Sequence, residues 1–189
     1  KDSNSVMIKI MLFLIVFSIV NLGISAYFSK NMRDLAQESS GVEEARNHMN
    51  KWVSDLIISI TDGSEFANVT SLDNCDFAKW KLAFDKSVFK NNKEALDAFE
   101  KAGELHDEVH LIYKNNRKIT IQKEPEKALD LVNSITAKYE EFSNNLDIVT
   151  DYYVKQENLS YVLTVVQGII SIVLSICLIF VTSRIIRKY

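Results

Sequence analysis

Charge disappears from this chain twice, and between the two gaps the apolar residues fall into helical spacing. Ile10 to Phe28 is an uncharged run of 19 residues, and Asn158 to Ser183 one of 26. Each is long enough to cross a hydrocarbon core of about 30 Å as a helix, and the first exceeds the apolar stretch of a cleaved signal peptide. Four amphipathic segments are predicted between them. The first continues from the membrane to about Thr61, with Val53, Leu56, Ile57 and Ile60 on one face. After a polar loop, a second is expected to start with Asp73 or Asn74 as N-cap and carry Phe77, Trp80, Phe84 and Val88 to a stop at Asn91-Asn92. The third begins near Lys93, turns Leu96, Phe99, Leu105, Val109 and Ile112 inward, and ends around Asn115-Asn116. The fourth opens at Glu124-Pro125-Glu126, with proline in its first turn, and carries Ala128, Leu131, Ile135, Phe142 and Leu146 into the second apolar run.

Composition supports the helical reading. One proline and five glycines in 189 residues leave little of the punctuation that strands and tight turns require. The expectation is an all-α chain: an antiparallel up-down-up-down four-helix bundle continuous with two transmembrane helices. Its predicted divisions are an N-terminal tail at 1–9, a first span at 10–28, the bundle at 29–158, a second span at 159–183 and a tail at 184–189.

Charge sets the expected orientation. Lys1 and Lys9 precede the first span, and Arg184, Arg187 and Lys188 follow the second, so both termini carry the basic flank of a cytoplasmic side. The intervening region holds 17 basic against 24 acidic side chains, a net charge of −7 that gives no reason to expect nucleic acid binding.

Candidate chemistry is concentrated in four residues. The chain has three histidines, His48, His106 and His110, and one cysteine outside the apolar runs, Cys75. His106 and His110 stand at i and i+4, which on a helix places both imidazoles on one face, roughly 6 Å apart. Adding Cys75 and His48 gives four nitrogen and sulfur donors with no position left for water, the pattern of closed Zn²⁺ coordination. At a rise of 1.5 Å per residue, helices of the predicted lengths permit the four to meet in mid-bundle. Cys177 lies in the second apolar run, too far from Cys75 for a disulfide within the chain.

Cys75-Asp76-Phe77-Ala78-Lys79-Trp80 resembles the Cys-x-x-Gly-Lys-Trp signature of the chemoreceptor zinc-binding domain, with Ala78 where glycine is usual. His106-Asp107-Glu108-Val109-His110 is similar to that family's His-x-x-Val-His, and His48 to its first-helix histidine, although here Lys51 precedes Trp52 where the family places the aromatic first. The resemblance covers about 45–112. It implies Zn²⁺ held by His48, Cys75, His106 and His110 in a four-helix unit that senses zinc or oxidants, without enzymatic activity. It further implies a homodimeric chemoreceptor-type protein of the bacterial inner membrane, with a periplasmic sensor domain. Residues 184–189 look like the entry to a HAMP-like relay module. The signalling module is absent, and the chain is expected to be part of a longer receptor.

Two other readings of the same residues stand beside this one. A hydrolytic zinc site would use a nearby carboxylate as base, for which Asp76, Asp107 and Glu108 are the neighbours in sequence. A metal-free receptor would bind a small organic acid or amino acid at a dimer interface, gripped by Arg33, Arg46 or Arg117.

Overall fold

A computed structural model describes residues 2–66 and 75–187. Among them the chain is all-helical. Helix α1 spans Asp2–Asp62, α2 Asp76–Ala83, α3 Lys93–Asn116 and α4 Pro125–Ile186, and a single 3₁₀ turn, Lys86–Phe89, lies between α2 and α3. The chain divides into two compact units, one of Lys1–Gln37 with Lys155–Tyr189 and one of Glu38–Val154.

In the first unit the apolar side chains face outward: Leu22 is 71% and Phe180 69% exposed. Both helices that supply this unit are long and apolar enough to cross a membrane. Their few polar side chains face each other instead. Gln167 donates to the Asn21 side chain at 3.0 Å, Ser171 also donates to Asn21, and Ser25 donates to Gln167 at 3.4 Å. Asn31 reaches the buried Ser160 hydroxyl at 2.7 Å. In hydrocarbon such groups lack water as a partner, so pairing across helices is the way they are satisfied.

The second unit is built as the pattern of apolar positions dictates. Val42, Ala45, Met49, Val53, Leu56 and Ile60 of α1 bury one stripe, Phe99, Leu105 and Val109 of α3 another, and Leu131, Ile135, Phe142, Leu146 and Val149 of α4 a third. Helix α3 starts where Asn92 accepts the Ala95 N–H at 3.0 Å, and α4 starts at Pro125, whose missing N–H costs nothing in a first turn.

The second predicted helix is corrected in two respects. It is capped by Cys75, whose Sγ accepts from the Ala78 N–H at 3.3 Å, while Asp73 and Asn74 lie outside the described residues. It also stops at Ala83, well short of Asn91-Asn92. Phe84 turns extended, with φ −72° and ψ 129°, and the Asp85 carboxylate takes the Ser87 N–H at 2.9 Å, opening the 3₁₀ turn. An aspartate that captures a nearby backbone N–H offers the chain an alternative to the helical ladder. The break re-aims the aromatics: Phe84 stacks on Phe99 at 4.6 Å, and Phe89 becomes the core residue while Val88 is exposed.

Candidate metal centre

The cap that begins α2 also delivers a donor atom. Cys75 Sγ lies 2.8 Å from His106 Nε2 on α3. The other nitrogen of that ring, Nδ1, is 2.8 Å from Asp107 Oδ1. A carboxylate only accepts, so Nδ1 carries the proton and Nε2 turns its lone pair toward the sulfur. A carboxylate behind an imidazole fixes the tautomer and raises the basicity of the free nitrogen, an arrangement common to histidines that bind metal.

One turn further along α3, the His110 ring lies 4.6 Å from that of His106. One ligand atom each from Cys75, His106 and His110 fall within 4.8 Å of one another, close enough to hold one ion. Both histidines are buried, and His110 Nε2 has no hydrogen-bond partner among the described residues. A buried polar atom left unpaired costs on the order of 1–3 kcal/mol, a cost that a cation bound by this ring would relieve.

Burial tunes all three groups. Desolvation pushes the His110 pKa down to about 4, with the neighbouring His106 adding to the effect. Desolvation lowers His106 as well, against the opposing pull of Asp107, while the Cys75 thiol is raised, mainly by desolvation and despite the N–H bonds of its cap. At neutral pH the imidazoles are therefore uncharged and ready to donate to a metal. The thiol keeps its proton until a cation displaces it.

His48 does not join this group. Its ring is 46% exposed, with Nδ1 3.4 Å from Asp76 Oδ2 and Nε2 3.7 Å from Glu44 Oε1. That position is adjacent to the centre, since Asp76 follows Cys75 in sequence. From α1, Trp52, one turn beyond His48, stacks its indole on the His110 ring at 4.2 Å and 28°. On the opposite flank Phe77 packs 4.7 Å from the His106 ring. The apolar spacing of the second segment places Phe77 in the core but carries no sign of its contact with a histidine ring. The signal for Trp52 was its i+4 spacing from His48. Of the carboxylates near the site in sequence, Asp107 holds His106, Asp76 faces His48, and Glu108 pairs with Lys138 at 2.6 Å. Cys177 lies exposed in the other unit, and Arg46 pairs with Asp147 at 2.6 Å.

No family model, curated protein or solved structure matches the chain.

Proposed function

We propose that the chain is the sensing part of a two-span bacterial membrane receptor of the chemoreceptor type, and that its Glu38–Val154 unit is an antiparallel four-helix bundle that binds Zn²⁺. The observation that carries this reading is the convergence of Cys75, His106 and His110, from two separate helices, with one ligand atom of each within 4.8 Å of the others. The mixed thiolate and imidazole donor set suits a borderline-soft ion. Bound zinc would tie the start of α2 to the middle of α3 as a structural cross-link.

The fourth donor in this proposal is His48, which would have to leave Asp76 and Glu44 and turn toward the other three. The helix N-terminus and a neighbouring cation both favour Cys75 as thiolate, the form that oxidants attack. Loss of the metal or oxidation of Cys75 removes a donor, frees α2 from α3, and lets α4 carry the change toward the second span at 159–183. The outward apolar side chains of the first unit and the basic flanks of both runs support placement across a membrane with the sensor outside the cytoplasm.

Elemental analysis of the purified full chain in detergent tests the proposal. About one zinc per chain is expected, falling below about a tenth of that in Cys75→Ala and in His106→Ala. Equal metal content in all three proteins would overturn it.

A further inference from the structure

One turn of α3 beyond His110, the loop after α1 meets the loop between α3 and α4. The two segments are stitched together: the Ile121 N–H donates to the Ile60 carbonyl at 2.9 Å, and the Gln122 side chain donates to the Asp62 carbonyl. Gly63 makes the turn with φ +74°, a conformation that only glycine adopts without strain, and its N–H returns to the Ser59 carbonyl at 3.1 Å. A cavity of about 390 Å³ sits between these loops.

Its walls divide by chemistry. Arg117, Lys118 and Lys123 supply three cations against one carboxylate, Glu65, although the region between the apolar runs as a whole is strongly acidic. None of the three pairs with a carboxylate among the described residues. Basic residues are favoured at a helix C-terminus, and α3 ends here, but Lys114 already serves its last turn. Phe66 and Tyr113 form an apolar wall, edge to face at 5.0 Å, and Trp52 packs behind them at 5.3 Å and 5.9 Å.

Cations beside an aromatic wall, in a cavity of ligand size, suit a small organic anion. We propose that this cavity binds a small organic acid, its carboxylate held by Arg117 and Lys123 and its apolar body resting on Phe66 and Tyr113. The planar guanidinium matches a carboxylate with two parallel hydrogen bonds, and the lysine adds a point charge. The site is complete within one chain and requires neither a second copy nor the metal.

Trp52 supplies the reporter, because it touches both ring residues of the wall. Benzoate is the probe, titrated into the full chain in detergent with a metal chelator present, following tryptophan fluorescence. A saturable change is expected, with the dissociation constant raised about tenfold or more in the Arg117→Gln/Lys123→Gln double variant. Arg117→Lys should fall between the two. Acetate, which has the charge without the body, and benzyl alcohol, which has the body without the charge, should each bind at least about tenfold more weakly than benzoate. The proposal is overturned by no saturable response up to about 10 mM benzoate, by unchanged affinity in the double variant, or by acetate binding as well as benzoate.

Discussion

The two compact units treat their inward-facing polar atoms in opposite ways. In the first, Asn21, Ser25, Gln167 and Ser171 satisfy one another across two apolar helices. In the second, the core is far better sealed, yet His110, whose ring neighbours a thiol and a second imidazole, keeps an Nε2 without a partner among the described residues. The contrast separates two uses of polarity. A closed set of hydrogen bonds fixes how helices meet, whereas an open valence in a packed interior is a place for something to arrive.

The largest effect should come from filling that valence. With zinc at about a thousand times its dissociation constant, the full chain should gain about 4 kcal/mol of unfolding free energy over the chelated chain. Cys75→Ala should gain almost nothing. Denaturant titration with and without metal reads this difference, and an equal gain in the variant would remove the distinction between the two units.

Acid should act on the second unit through the same ring. In the metal-free chain the folded His110 pKa of about 4 lies below the ordinary 6.5, so between those values the unfolded chain binds more protons than the folded one. Stability is therefore fully present above about pH 6.5 and lost as pH falls toward 4, by on the order of 3 kcal/mol. His106 is shifted in the same direction and adds to the slope. The urea midpoint followed across this range should fall for the parent chain and flatten in His110→Phe. A slope that survives that substitution intact would place the acid sensitivity elsewhere.

The smallest effect belongs to the first unit. Replacing Gln167 by leucine removes its bonds to Asn21 and Ser25, at a cost of about 0.6 kcal/mol in a membrane-like solvent. Zinc binding should not change. A Gln167→Leu protein with impaired metal affinity would show that the two units are less separate than the comparison holds.

Much of this arrangement is written locally. Asn92 and Pro125 mark the starts of α3 and α4 because the cap and the first-turn proline act on their own neighbours. The His106/His110 pair is legible for the same reason, since i and i+4 share a face on any helix. The break after Ala83 was not legible. Phe77, Trp80, Phe84 and Val88 keep perfect helical spacing, and what ends the helix is Asp85 capturing Ser87 together with Phe84 stacking on a residue of α3, a contact no window on the sequence contains. Similarly, the pattern of four donors could not show that His48 rests on Asp76, nor that Trp52 occupies the face of His110. Both are decided by how helices distant in sequence meet.

Cys75 has a consequence beyond ligation, because the same sulfur that faces His106 also anchors the opening turn of α2. Eight residues are too few to stay wound in water unaided. Whether those two turns of backbone stay wound therefore depends on one sulfur atom, which fills the role that a hydroxyl or carboxylate oxygen usually plays at a helix start.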